Sequence, residues 1–130
     1  MILRRLAAMD PGRRRTAVRA AVLLALAAFG LRVARLESVS RALARVARLW
    51  SPSDPRWIPW AVAAAGRRLP GARSCLPQAL AARALLESSG RPARLRLGVS
   101  REGPFRAHAW VESGGRVVVG GDVADFAPLL

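Results

Sequence analysis

Along the first half of the chain, apolar residues recur at helical spacing. Residues Thr16 to Leu36 are rich in alanine and leucine, with arginines mainly at the two ends, which predicts a helix. Leu36, Val39, Leu43, Val46 and Leu49 then recur at steps of three and four. Arg41, Arg45 and Arg48 fall between them, so a second, amphipathic helix follows. The segment SPSDPRWIPW breaks the pattern with three prolines and two serines. Asp54 followed by Pro55 has the form of an N-cap and first helical residue. The short helix they open is expected to run through Trp57, Trp60 and Val62 to Gly66, with Pro70 and Gly71 closing it off.

SCLPQALAARALLESSG predicts the next helix. Ser74 or Cys75 caps it, and Pro77 is tolerated in the first turn, where its missing N–H has no intrahelical partner. Gly90 stops it and Pro92 prevents continuation. Leu76, Ala79, Leu80 and Leu86 share one side, interrupted by Arg83. The period then changes from 3.6 to 2. In ARLRLGV, Leu95, Leu97 and Val99 share a face opposite Arg94 and Arg96. In FRAHAWVE, Phe105, Ala107, Ala109 and Val111 oppose Arg106, His108, Trp110 and Glu112. Ser113-Gly114-Gly115 forms a turn, and Arg116 to Val119 returns as a strand. Helices followed by a small antiparallel sheet predict an α+β fold, with a Cys-bearing helix packed on the sheet.

The 130 residues are about one ordinary domain, and 52% hydrophobic content suffices for a core. The chain is expected to be a single domain over 1–130, with a helical part over 1–50 and the rest over 51–130. Formal net charge is +14, and all 22 basic residues are arginine. Such a charge favours acidic partners. The arginines are scattered apart from Arg13-Arg14-Arg15, and aromatic residues make up 5% with no tyrosine, so a base-stacking nucleic-acid surface is not expected. One cysteine excludes an internal disulfide and a multi-thiolate metal site. The apolar stretch Ala20 to Leu31, between Arg19 and Arg32, is about 12 residues, short of the roughly 20 that span a bilayer. It is expected to be a buried or surface-docked helix, which leaves peripheral membrane contact open. The expected location is the cytoplasm, where Cys75 stays a free thiol.

The chemistry centres on Cys75 and His108, the only cysteine and the only histidine. A thiol at a helix N-terminus meets free N–H groups and the positive end of the helix dipole, which favour a thiolate and a developing oxyanion. Arg73 adds positive potential nearby. Each residue alone has an ordinary structural reading, as a small buried hydrophobe or a packed ring. Together they suit a nucleophile and its base. A third group should orient the imidazole, and Glu112, Asp122 and Asp125 are the candidates. Glu112 is about 13 Å along the strand from His108, too far for contact. Asp122 shares the His108 face if the hairpin loop is Ser113-Gly114-Gly115 or carries an equivalent bulge, and turns away if the loop is only Gly114-Gly115. Trp110, on the His108 face, either shields the imidazole, lines a peptide cleft or packs on the Cys75 helix.

CLPQALAARALLESSGRPARLRLGV followed by FRAHAWVESGGRVVVGG resembles the leader-peptidase part of lasso-peptide biosynthesis B proteins, within the transglutaminase-like cysteine-protease superfamily. The likeness is strongest over residues 73–122, and makes 51–130 a transglutaminase-like catalytic core. It implies a Cys-His-Asp protease, with Cys75 the nucleophile and His108 the base. Asp122 best matches the acid, with Asp125 an alternative. It also implies removal of a leader from a ribosomally made precursor peptide, before a separate ATP-dependent cyclase closes the macrolactam. Some members carry a strand-rich recognition domain ahead of the protease. The helical start here implies a separate leader-recognition protein as partner. No cofactor and no metal is expected. The alternatives are an acyl transferase on the same triad, and a noncatalytic basic module binding an acidic peptide or nucleic acid.

Overall fold

The computed structural model describes Arg4, Ala8 and residues 10–69 and 75–129. Pro70, Gly71, Arg73 and Ser74, to which the sequence assigned a helix stop, a cap and positive potential, lie outside the described residues. Over the described residues from 10 on, four α-helices precede a four-stranded antiparallel sheet, as the change of period predicts.

Helix α1 spans Pro11–Val33. It begins earlier than the apolar pattern suggests because Asp10 caps it, accepting the N–H groups of Gly12 and Arg13 at 3.1 and 3.3 Å, with Pro11 in the first turn. It ends where Ala34 turns extended, and α2 spans Leu36–Arg48. Asp54 caps a single 3-10 turn over Pro55–Trp57, accepting the Arg56 N–H at 3.0 Å. Helix α3, Ile58–Arg68, continues from that turn. The Arg56 guanidinium, 2.8 Å from Asp54, holds that carboxyl below its ordinary range.

Helix α4 spans Cys75–Ser88. Its end is a Schellman motif: Arg91 N–H bonds the Leu86 carbonyl, Gly90 N–H bonds that of Glu87, and Gly90 has φ +82°. The expected one-sided apolar face is replaced by burial nearly all round, including Pro77, Ala79, Ala82 and Leu85. The cause is position: α4 lies between the other helices and the sheet, so it needs no polar face except where Arg83 reaches Glu87 at 3.1 Å.

The strands are β1 (Arg94–Ser100), β2 (Ala107–Ser113), β3 (Arg116–Val119) and β4 (Phe126–Pro128), ordered β3-β2-β1-β4. One face, with Leu95, Leu97, Ala109 and Val111, joins Leu23, Leu24, Val62, Leu80 and Leu85 in a single core. The opposite face carries Arg96, Gly98, His108, Trp110 and Glu112, as pairings such as Gly98 with His108 and Arg96 with Trp110 require.

The hairpin loop is two residues, not three. Ser113 pairs with Arg116, and Gly114 and Gly115 have φ +62° and +78°, as a two-residue hairpin turn demands. A bulge follows: Glu112 pairs with Val117, but Val111 pairs with Val119, so Val118 is an extra residue. That insertion reverses the parity of everything after it and returns Gly120 to a place over Trp110.

Candidate active site

Strand β3 covers β2 only from Val111 to Ser113. Beyond Val119 the Ala109 N–H on that side has no strand to bond. It donates instead to Cys75 Sγ, 3.3 Å away. The first residue of α4 is thereby fixed against the peptide that joins His108 to Ala109. By standard covalent lengths the sulfur is no more than about 6 Å from the His108 Cα. Cys75 is half-buried, and its sulfur is a free thiol.

His108 belongs to the outer face of the sheet, away from the helices. Its Nε2 is 2.7 Å from the Gly120 carbonyl, in the gap where β3 has departed. A carbonyl only accepts, so Nε2 carries the proton in this bond, and the neutral ring keeps its lone pair on Nδ1. The ring lies between two aromatic neighbours. Trp110 stacks on it with centroids 5.9 Å apart, and Phe126 of β4 lies at 4.9 Å, tilted by 32°. No hydrogen bond joins Cys75 to His108 among the described residues; the two meet through the Ala109 N–H, the thiol at the strand's edge and the imidazole on its outer face.

Trp110 is 1% exposed. It does not pack on the Cys75 helix: the core on the α4 side contains Ala109 and Val111 but not Trp110. Its indole spreads over β1, where a Cβ on Gly98 would lie 2.8 Å from the ring. The indole N–H donates to Glu112 at 3.1 Å, and Arg96 is 4.0 Å from the same carboxylate oxygen. Glu112 therefore holds Trp110, and Trp110 shields one side of the imidazole.

The bulge supplies the parity that the Asp122 expectation required, yet Asp122 accepts the Ala124 N–H at 3.0 Å in an exposed turn. Neither Asp122 nor Asp125 hydrogen-bonds His108; the Asp125 carbonyl accepts the Arg101 N–H at 2.8 Å. The orienting group in this structure is the main-chain carbonyl of Gly120, which no side-chain motif announces. Phe126 also escaped the sequence reading, because a three-residue strand containing proline gives no alternating run. Among the described residues, no three His, Cys, Asp or Glu side chains converge as a metal site.

The arrangement combines a free thiol on the first residue of a buried helix with an imidazole of defined tautomer one residue from the thiol's partner. That suits attack on an acyl carbon with proton transfer through the imidazole. Comparison with family models matches residues 16–130 to the transglutaminase-like superfamily, a span that takes in nearly all of α1 together with α2. Comparisons with curated proteins and with solved structures gave no match. The chain belongs to the transglutaminase-like superfamily, whose members are typically cysteine peptidases or transferases.

Proposed function

We propose that the protein is a cysteine peptidase that removes the leader from a ribosomally made lasso precursor peptide. The observation that supports the enzymatic part is the bond from the Ala109 N–H to Cys75 Sγ, which ties the thiol to the backbone of the residue after His108. The lasso assignment rests on the resemblance of residues 73–122.

In this mechanism His108 Nδ1 takes the Cys75 proton and Sγ attacks the scissile carbonyl. The Cys75 N–H, at the start of α4, is one donor to the oxyanion. Collapse expels the amine of the downstream segment, which receives the proton from His108. Water, deprotonated by His108, then resolves the thioester and frees the leader's carboxylate. Gly120 keeps the imidazole in its working tautomer. Asp122 has two roles open to it: triad acid, if its carboxylate leaves Ala124 for the imidazole, or the residue that sets the turn after Gly120.

The substrate is a precursor peptide, delivered by a separate recognition protein that raises its local concentration. The product then passes to an ATP-dependent cyclase. The cytoplasm is the proposed location. The test is incubation with lasso precursor peptides that carry their leaders, with and without a leader-recognition protein. Mass spectrometry is expected to show a released leader with wild type and none with Cys75→Ala. An adduct with an amine in place of the free leader acid would assign the site to acyl transfer. Leader release by Cys75→Ala at the wild-type rate would remove the proposal.

A further inference from the structure

Helix α1 is apolar on two sides. Thr16, Ala20, Leu23, Leu24 and Ala27 face the core and are buried. On the outside, Val18, Val22, Leu26, Phe29 and Val33 follow at steps of four, four, three and four, which makes one stripe. All five are between 42% and 69% exposed. The stripe covers about 22 Å of helix at 1.5 Å per residue. A contiguous apolar strip of that kind is uncommon on a surface that faces only water.

Charge limits what covers it. Residues 11–36 contain no aspartate or glutamate. Arg14 and Arg15 stand at one end of the stripe, and exposed Arg32 and Arg35 at the other. Beside its N-terminal end is an open depression of about 680 Å³, lined by Arg14, Arg15, Arg19, Val18, Val22 and Trp50 among others. Arg19 is held there by the Ser51 carbonyl at 2.6 Å and the Ser53 hydroxyl at 2.9 Å, and among the described residues no carboxylate lines the depression. Burial and the neighbouring Arg15 lower the Arg19 pKa, as expected of crowded cations without a counter-ion.

A second copy is a poor occupant, since it brings the same arginines and a net charge of +14. By length and composition α1 could cross a bilayer, and 28% of its apolar window is buried inside the protein. Spanning would strip those residues from the core, so the helix is suited to lie along a membrane. Apolar side chains in the middle and arginines at both ends match the boundary between acyl chains and anionic headgroups. An acidic protein would satisfy the arginines, but needs a groove shaped to the convex stripe; a fluid lipid surface does not.

We infer that the outer face of α1 docks the protein in the plane of a bilayer containing anionic phospholipid, with a headgroup phosphate in the depression of Arg14, Arg15 and Arg19. The proposal is independent of the reaction at Cys75.

Co-sedimentation of the full chain with vesicles tests it, using pure phosphatidylcholine and phosphatidylcholine mixed with phosphatidylglycerol. Binding is expected to be about tenfold or more tighter to the mixed vesicles, and to weaken as salt rises. Leu26→Glu/Phe29→Glu is expected to lose at least about tenfold of that binding, with the melting temperature kept because both side chains are exposed. If that variant fails to fold, Arg14→Gln/Arg15→Gln decides: it should lose the preference for the mixed vesicles. Three outcomes overturn the proposal. One is wild-type chain that does not sediment with mixed vesicles, or folded variants that bind as it does. Another is a dimer in vesicle-free solution that the glutamate variant dissolves. The last is soluble polyglutamate bound as tightly as the mixed vesicles, with the glutamate variant weakening both alike.

Discussion

His108 is anchored at Nε2 by the carbonyl of Gly120, 2.7 Å away, at the point where β3 leaves β2. Only a glycine fits that position without displacing its neighbours. Its φ is +120°, and an added Cβ would lie 2.4 Å from the Cβ of Trp110 and 3.0 Å from its Cα. The loop, the indole and the imidazole therefore form one packed unit, and a change at Gly120 reaches the base without touching it.

Gly120→Ala must displace either the loop or Trp110. Its expected cost is about 2 kcal/mol of stability. Turnover should fall about tenfold or more, because small displacements of a reacting group are costly. Gly121→Ala is the control: it also has positive φ, +70°, but its Cβ would meet nothing within 4 Å. It should lose about 1 kcal/mol from the backbone alone and keep its turnover. Urea unfolding and leader-release rates on the two variants measure this. Equal turnover in both would show that the Gly120 carbonyl does not govern the imidazole.

Asp122 has two possible uses, and they separate by substitution. Asparagine keeps an acceptor for the Ala124 N–H but loses the charge, whereas alanine loses both. If the turn is what matters, Asp122→Asn should work nearly as wild type and Asp122→Ala should lose several-fold in rate. If the carboxylate moves to His108 during the reaction, the two should fall together, by a factor nearer to the about 10⁴ lost when a triad acid becomes an amide. Steady-state kinetics on purified variants distinguishes the cases.

What the sequence disclosed follows from how local each signal is. Helix α4 was legible because Pro77 and Gly90 are local rules, and β1 and β2 because alternation survives over seven residues. The break after Val33 has neither glycine nor proline at Ala34 and Arg35, so the pattern ran on to Leu36. The start of α1 at Pro11 was obscured by Gly12 and three arginines, which carry no apolar period. The bulge at Val118 is the deepest case: loop length alone gives the wrong parity, and only packing of the completed sheet adds the extra residue. The Cys75 and His108 pairing was readable as chemistry, but the group that holds His108 is a main-chain oxygen, which sequence does not label.

Glu112 is expected to act on the site through Trp110. Its carboxylate accepts the indole N–H at 3.1 Å and faces Arg96, whose Nε is buried without a hydrogen-bond partner. Glu112→Ala leaves the indole N–H unpaired and removes the charge that faces Arg96, and should cost about 1–3 kcal/mol. Glu112→Gln keeps an acceptor and should cost less. The readout specific to this arrangement is near-ultraviolet circular dichroism of the tryptophans: the alanine variant should lose signal as Trp110 loosens, while the far-ultraviolet spectrum stays that of wild type. An unchanged near-ultraviolet spectrum would mean that Gly98 and the aromatic stack hold the indole without Glu112.

Arg13 tests how the helical layer is tied to the tryptophan turn. Its guanidinium carbon is 4.1 Å from the Trp60 ring centroid and 5.1 Å from that of Trp57. The start of α1 is thereby joined to the 3-10 turn and to α3. The Arg13 Nε is buried with no hydrogen-bond partner, so the contact with the rings is the main compensation for its burial. Arg13→Ala is expected to lower stability by about 1 kcal/mol and to change the fluorescence of Trp57 and Trp60. Arg13→Lys keeps the charge but not the flat surface that stacks on an indole, so it should recover only part of the loss. Full recovery by lysine would show that charge alone, and not stacking, joins α1 to this turn.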